Sequence, residues 1–270
     1  MSFQPVLPIG GYAGWRFLER TLERQQESHA ASPTLRRAET EFRARIAGIH
    51  SAQALVEDRN LLKVALTAFG LRDDLPNRAF IQRVLESPAS ESRSFANRLA
   101  DRRYAALAEA FGFGEAGPPK TAEPGFADRI VALYHDRSFE EAVGAQDESM
   151  RLALALQRDL GAIAQRDTSE DARWLTVLGT PSLRTVFESA YRLPNGFGAL
   201  DLDRQVDILR GRTRAAMGDS SLAQFADPER IDKLIQRFML AEQVNAVNTM
   251  GSGQVALTLL QGIQPIGLLR

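Results

Sequence analysis

Hydrophobic residues recur at helical spacing along almost the whole chain. Trp15, Leu18 and Leu22 lie at positions i, i+3 and i+7, which places them on one face of an amphipathic helix. Leu62 and Leu66 show the related i, i+4 spacing further on. No stretch alternates apolar and polar residues in the way that a half-buried strand does. The pattern therefore predicts an all-α protein.

Short polar and glycine signals predict where several helices begin and end. Ser32 followed by Pro33 is typical of a helix N-cap and a first helical position. Gly70 supplies the left-handed residue that commonly ends a helix. Ser138 and Glu141 have the spacing of a capping box, in which each side chain accepts a hydrogen bond from the other residue's backbone amide. A helix is therefore predicted to begin at Ser138.

The apolar pattern of the first half of the chain returns in the second half. Five positions have counterparts 122 residues later: Leu55, Leu61, Val64, Ala68 and Leu71 correspond to Val177, Leu183, Val186, Ala190 and Leu193. Four more correspond at an offset of 126 or 127: Asp101, Tyr104, Leu107 and Phe111 match Asp227, Ile231, Leu234 and Phe238. A repeat of about 120 residues is too long for a solenoid unit and has the size of a small subdomain. We therefore expect two tandem, internally duplicated helical subdomains.

The boundary between the two copies is expected in a segment rich in glycine and proline. Residues 112–125 contain four glycines and three prolines, a composition typical of a linker. The predicted division is a first helical repeat at 1–111, which includes an uncharged N-terminal segment, followed by the linker at 112–125. A second helical repeat at 126–250 and an uncharged apolar tail at 251–270 complete it.

Composition excludes several classes of function. The chain has 270 residues, with 33 Lys+Arg against 34 Asp+Glu and a net charge of −1. This balance argues against a nucleic-acid partner, because such binders usually carry a basic surplus. The absence of cysteine excludes disulfides, thiolate metal sites and cysteine nucleophiles. No apolar run reaches the ~18 residues that a membrane span requires, so no membrane insertion is expected.

Candidate catalytic and cofactor motifs lack the context that their chemistry needs. Gly112, Gly114 and Gly117 spell G-x-G-x-x-G, but the motif follows a predicted helix and runs into prolines, whereas a dinucleotide loop follows a strand and opens a helix. The three histidines are His29, His50 and His135. No two of them have the i, i+4 spacing of a metal-binding pair on one helix face. We therefore predict no catalytic residue, no metal site and no cofactor, and a protein that is not an enzyme.

The two ends of the chain are unusual because they carry no charge. Residues 1–15 and residues 243–269 contain no Asp, Glu, Lys or Arg. Six apolar residues of the C-terminal segment are the candidate partner-binding residues: Val255, Leu259, Leu260, Ile263, Ile266 and Leu269. Large apolar surfaces commonly mark interfaces, so the ends are expected to contact a partner or a second copy. The alternative is that both ends pack against their own domain.

Four segments have a distinctive order of residues: Met1–Trp15, Phe95–Tyr104, Phe197–Asp203 and Phe225–Pro228. These segments resemble an uncharacterised family of alphaproteobacterial proteins that carry a domain of unknown function and are commonly encoded among flagellar genes. The resemblance extends through at least Phe238 and implies association with flagellar assembly, without implying any catalytic or binding residue. Flagellar axial proteins are exported through a dedicated channel and polymerise through uncharged terminal helices, and the ending Leu257–Arg270 resembles such a terminus.

The first hypothesis is a non-enzymatic interaction or assembly protein whose protein partner is a flagellar component or a second copy of itself. The expected location is cytoplasmic, and the resemblance implies a flagellar location or export through the flagellar channel as the alternative. A competing hypothesis is a small-molecule binder or enzyme that uses the cleft between the two halves, since interfaces between subdomains commonly hold pockets. A third is an export chaperone with one long apolar groove.

Overall fold

The computed structural model describes residues 3–249, and within this range the chain forms α-helices and short 3-10 helices with no β-strand, which confirms the all-α prediction. The first six α-helices are α1 (Gly11–Ala30), α2 (Pro33–Arg45), α3 (Ala52–Glu57), α4 (Arg59–Ala68), α5 (Arg78–Leu85) and α6 (Arg102–Phe111). The remaining six are α7 (Phe126–Gly144), α8 (Glu148–Ala164), α9 (Glu170–Leu178), α10 (Pro181–Ala190), α11 (Leu202–Met217) and α12 (Pro228–Thr249).

Two of the three predicted helix boundaries are confirmed and one is wrong. Ser32 is the N-cap of α2 and Pro33 is its first residue, while Gly70 has a φ of 68° just after α4. Ser138 does not begin a helix, because it lies inside α7, which starts twelve residues earlier at Phe126. A residue within a helix has its backbone amide bonded to the preceding turn, so the spacing of Ser138 and Glu141 does not act as a capping box.

Buried side chains form two hydrophobic cores. The first core is built by α2 to α6 and includes Phe42, Leu61 and Phe111. The second core is built mainly by α8 to α12 and includes Trp174 and Phe238. Each core surrounds a central helix, since α4 packs mainly against α2 and α7 while α10 packs mainly against α8 and α12.

Two helices connect the cores in ways that the chain order does not reveal. The N-terminal half of α7 contributes Ile130 and Tyr134 to the first core, and its C-terminal half contributes Phe139 to the second core. The first helix, α1, places Trp15 and Leu18 in the second core. The chain therefore begins on the second core, crosses to the first, and returns through α7.

The repeated sequence positions lie in comparable local structures. The ten residues of α4 and the ten residues of α10 are separated by 122 positions, and the repeated apolar residues in both helices are buried. Asp101 accepts a hydrogen bond from the Arg103 amide at 3.0 Å, and its counterpart Asp227 accepts one from the Glu229 amide at 2.9 Å. These similarities are in keeping with two copies, and the duplication stays a prediction.

The segment 112–125 packs against the first core. Thr121 is buried, and its hydroxyl donates a hydrogen bond to the Ile49 carbonyl at 2.7 Å. Phe113 is half-buried and packs against the first core. The proposed division of the chain into ranges with a linker at 112–125 stays a prediction.

Candidate functional site

A polar cavity of about 720 Å³, named the central cleft, lies where elements of both cores meet. Its walls come from the turn after α4, from the first turn of α6, from α7 and from the first turns of α8 and α10. Four arginines and four carboxylates line it: Arg72, Arg103, Arg137, Arg151, Asp73, Glu140, Glu141 and Glu148. A volume of this size is within the range of ligand-binding pockets.

Two glycines lie against the arginines of the cleft. A side chain at Gly70 would place its Cβ 3.5 Å from Arg103 Nη1 and 3.9 Å from Arg137 Cζ, so two guanidinium groups approach the same backbone position. The Gly70 carbonyl accepts a hydrogen bond from Arg103. At the end of α7, a Cβ on Gly144 would lie 2.5 Å from Arg151 Cδ. Gly144 therefore lets the stem of Arg151 lie directly on α7.

Several ion pairs cross the cleft or line it. Arg72 Nη1 donates to Glu141 Oε2 at 2.6 Å, which ties the turn after α4 to α7. Arg151 Nε donates to Glu148 Oε2 at 2.7 Å. A backbone hydrogen bond of 3.0 Å from the Arg102 amide to the Gly179 carbonyl is a second contact between the two halves of the chain. It joins the start of α6 to the α9–α10 turn. The walls of the cleft are thus held by contacts between the two halves.

Arg137 is the least satisfied of the four arginines in the cleft. Its side chain is 18% exposed, and its nearest carboxylate oxygens, on Glu140 and Asp159, lie at 3.4 Å and 3.7 Å. Its Nε is buried and has no hydrogen-bond partner among the described residues. Burial, together with the positive charge of Arg158, lowers the pKa of Arg137 to about 10. A buried guanidinium in this state has unused capacity to bind an acceptor.

Two carboxylates in the cleft lie near each other. Burial raises the pKa of Glu141, and the negative charge of Asp73 raises it further, while the hydrogen bond from Arg72 opposes both effects. Asp73 is exposed at the rim. Its carboxylate has no hydrogen bond or ion pair with any of the residues that the structure describes.

The first turn of α10 also reaches the cleft, through Thr180, Pro181 and Ser182. Thr180 is the N-cap, but its side chain does not accept a bond from the helix. Its hydroxyl instead donates to the Thr176 carbonyl at 2.8 Å. Because the first amides of a helix have no acceptor within the helix, this end of α10 keeps donors available for a ligand.

The N-terminal segment before α1 packs on the protein's own body. The Gln25 side chain bonds to both backbone groups of Val6, since Oε1 accepts from the amide at 2.7 Å and Nε2 donates to the carbonyl at 3.3 Å. Gln146 Nε2 donates to the Pro5 carbonyl at 2.8 Å. Phe3 and Leu7 pack against the second core. Val6 and Ile9, in contrast, are exposed.

The N-terminal segment lies close to the C-terminal part of α12. A Cβ on Gly11 would lie 1.9 Å from Gln243 Nε2, so the start of α1 touches the point where the uncharged C-terminal run begins. Leu240 and Val244 on α12 are exposed and lie four residues apart, on one face of the helix. The predicted partner-binding residues Val255, Leu259, Leu260, Ile263, Ile266 and Leu269 lie outside the described residues.

Sequence reasoning anticipated a cleft between the halves as an alternative site but did not identify its residues. Arg72, Arg137 and Arg151 are far apart in the sequence and form no motif. Among the residues of the cleft, only Gly70 had a recognisable local signal in the sequence, and that signal predicted a helix end. Of the histidines, His135 contacts Glu39 at 3.1 Å and His29 lies in the second core region between two phenylalanines.

Within residues 3–249, no group of three or more potential ligands is arranged to hold a metal ion. Every helix in that range is too short or too polar to cross a membrane. These findings hold for the described range.

Comparisons with known proteins place the fold and the family. A structure of protein AGR_C_984 from the alphaproteobacterium Agrobacterium tumefaciens is similar, with a TM-score of 0.73 and 25% identity, and the match covers 90% of this chain and 99% of that chain. No curated protein matches the chain. Residues 68–231, more than half of the chain, match the family model described as a protein of unknown function, DUF1217. The expected resemblance to a family with a domain of unknown function is thereby confirmed, and the chain belongs to the DUF1217 family.

Proposed function

We propose that this chain is a non-enzymatic interaction or assembly protein that makes its contacts through its uncharged terminal segments. The partner is a flagellar component or a second copy of the chain. The contact residues in the C-terminal segment are Val255, Leu259, Leu260, Ile263, Ile266 and Leu269.

The observation that supports this proposal is that the N-terminal uncharged segment meets the residues at which the C-terminal uncharged run begins. Gly11 lies against Gln243, and the exposed side chains of Ile9, Leu240 and Val244 belong to the segments that meet there. Exposed apolar side chains that continue into an uncharged chain segment favour a protein-binding surface. The position of the ends therefore supports one shared contact region.

The packing of the N-terminal segment limits which of its groups can take part in this contact. Pro5 is buried, and the backbone of Val6 is engaged by Gln25, so these groups serve the fold of the body. The side chains of Val6 and Ile9 remain exposed. The contact proposed here thus uses the outer face of the N-terminal segment together with the chain beyond Gln243.

The flagellar part of the proposal comes from the family resemblance. The segments that carry it, such as Phe95–Tyr104 and Phe225–Pro228, supply no chemistry that identifies a partner. The proposed location is accordingly cytoplasmic, with a flagellar location or export through the flagellar channel as the alternative.

Deletion of residues 252–270 tests the proposal. We expect the truncated protein to keep the helical far-UV circular dichroism and the unfolding midpoint of the full chain, because within residues 3–249 both cores are built from residues before 242. We also expect it to lose capture of a flagellar component from motile cells, or to lose self-association measured by sedimentation.

A double substitution provides a sharper variant with a matched control. Leu259→Asn with Ile263→Asn changes two proposed contact residues, whereas Leu202→Asn changes an exposed leucine at the start of α11. We expect loss of partner binding only in the double variant. Recovery of the same partner by the truncated chain, or global unfolding of that chain, would contradict the proposal.

A second candidate function, ligand binding in the central cleft, is favoured by the cavity of about 720 Å³ and by the unpartnered Nε of Arg137.

A further inference from the structure

We propose that the central cleft binds a small zwitterion of the amino-acid type, a molecule that carries one carboxylate and one ammonium group. The inference rests on the second candidate function and is independent of the terminal segments. It follows from the placement of unsatisfied positive and negative groups in the same cavity.

The positive side of the cleft is formed around Gly70. Arg103 and Arg137 both approach this glycine, with Nη1 and Cζ at 3.5 Å and 3.9 Å from its ideal Cβ position. Arg103 is bonded to Asp101 at 2.7 Å and to the Gly70 carbonyl, whereas Arg137 has only long contacts with carboxylates. The one hydrogen bond of the Arg137 guanidinium is that of 3.4 Å to Glu140, so a ligand carboxylate would supply a second and closer acceptor.

The first turn of α10 adds to this positive side. Ser182 lines the cavity, and the N-cap residue Thr180 uses its hydroxyl elsewhere. Backbone amides at a helix N-terminus attract a carboxylate through hydrogen bonds and through the helix dipole. The amides of this turn add to the attraction that the arginines exert on a carboxylate. Without the arginines, the turn would not form a binding site.

The negative side of the cleft is formed by Asp73 and Glu141. Both carboxylates line the same cavity. Glu141 is bonded to Arg72 at 2.6 Å. Asp73 makes no hydrogen bond or ion pair with residues 3–249, and its charge acts on Glu141, Arg72 and Arg151 only at longer range. A ligand ammonium group placed beside Asp73 would relieve the repulsion between the two carboxylates.

The balance of charges in the lining selects between ligand classes. Four arginines and four carboxylates face the cavity, so a simple anion would be repelled by Asp73 and a simple cation by Arg137. A molecule with both charges satisfies both groups.

The spacing of the two sides suits a small molecule. Gly70 and Asp73 are three residues apart, a length of chain that spans at most about 10 Å. A free amino acid or a dipeptide, whose charged ends are separated by up to about 7 Å, has a suitable size. The free amino acid and the peptide are two sources of the same chemistry.

Isothermal titration calorimetry on the full chain tests the inference. The probes are the common L-amino acids, L-alanyl-L-alanine, acetate, methylammonium and inorganic phosphate. We expect at least one zwitterionic probe to bind more tightly than acetate, methylammonium or phosphate. The comparison of free amino acids with the dipeptide distinguishes the two sources.

Charge-removing variants locate the binding. Asp73→Asn and Arg137→Gln are each expected to weaken the affinity for the best zwitterion by about tenfold or more, as loss of a charge-assisted bond would. Asp167→Asn and Arg166→Gln are matched controls, because both residues are exposed after the far end of α8 and should leave the affinity unchanged.

Three results would overturn the inference. The first is that no amino acid or dipeptide binds. The second is that acetate or phosphate binds as tightly as any zwitterion. The third is that Asp73→Asn binds the zwitterion like the wild type, with its fold verified by circular dichroism. Because Asp73 lies on an exposed turn, this variant keeps the test decisive even if Arg137→Gln fails to fold. None of these results depends on the deletion of residues 252–270, so either proposal can be contradicted without the other.

Discussion

His29 illustrates how a single buried residue makes folding depend on pH. Its ring lies between those of Phe3 and Phe139, with both centroids at 5.7 Å in edge-on geometry. Neither ring nitrogen has a hydrogen-bond partner of normal geometry among the described residues. Burial lowers the pKa of His29 below 6.5, and the nearby His135 adds to this effect, while a weak contact with the Ser138 backbone offsets part of it. The charged form is therefore disfavoured in the folded protein.

We predict that the free energy of unfolding decreases as the pH falls below about 6.5. Between the unfolded pKa and the lower folded pKa, the unfolded chain binds a proton at His29 and the folded chain does not, so acid favours unfolding with a slope of at most about 1.4 kcal/mol per pH unit. Above the unfolded pKa the stability is fully present. Urea denaturation between neutral and mildly acidic pH measures the effect.

His29→Leu should remove most of this pH dependence, because leucine does not titrate. His50→Leu is the matched control, since His50 is exposed, and it should keep the wild-type slope. His135, which contacts Glu39 on α2, faces the same region and is unchanged in both variants. An identical slope in wild type and His29→Leu would show that His29 is not the titrating group.

Gly14 determines how the N-terminal segment crosses α1. An ideal Cβ on this residue would lie 1.9 Å from the Ile9 carbonyl oxygen and 2.5 Å from Met150 Cε. Because one of these neighbours is backbone, the contact cannot be relieved by a side-chain rotation alone. The glycine is thus required by the close approach of two chain segments.

We predict that Gly14→Ala destabilises the protein by about 1–3 kcal/mol, as overpacking does. In contrast, Gly211→Ala should stabilise it by about 0.5–1 kcal/mol, since Gly211 lies within α11 with no atom near its Cβ position and alanine is the better helix former. Chemical denaturation of the two variants measures the opposite signs. Equal stabilisation by both substitutions would mean that the N-terminal segment does not pack across α1.

The parts of the fold that the sequence predicts depend on local signals, and the parts that it does not predict depend on contacts between distant segments. The spacing of apolar residues and the cap at Ser32 are local signals, and both predicted helices that the structure contains. The cap predicted at Ser138 was wrong, because apolar residues upstream of it, such as Ile130, extend α7 into the first core. The packing of α1 on the second core has no local signal, since Trp15 and Leu18 show only which face of α1 is buried.

The candidate site was less predictable than the helices. Arg72, Arg103 and Arg137 come from three elements and meet only because the turn at Gly70 and the course of α7 bring them together. Charged residues on helices are usually solvated, so sequence alone gives no reason to single them out. The uncharged ends, in contrast, are evident in the sequence, and their meeting at Gly11 and Gln243 required coordinates.

At the scale of the whole molecule, α7 is shared by the two cores. Residues up to Tyr134 belong to the first core and residues from Phe139 belong to the second. An intact helix between them transmits the unfolding of one core to the other. The bond from Arg102 to Gly179 and the ion pair of Arg72 with Glu141 are the additional links.

Asp136 lies on α7 between the residues of the two cores, so Asp136→Pro tests this coupling. Proline removes a helical hydrogen bond and clashes with the preceding turn, at a cost of about 3 kcal/mol or more. The two tryptophans, Trp15 and Trp174, both belong to the second core, so their fluorescence reports that core while far-UV circular dichroism reports both. We predict coincident unfolding transitions in the wild type and in Asp136→Ala, and separate transitions in Asp136→Pro. Coincident transitions in the proline variant would assign the coupling to the contacts around the central cleft, and in that case occupation of the cleft by a ligand would tighten the same link.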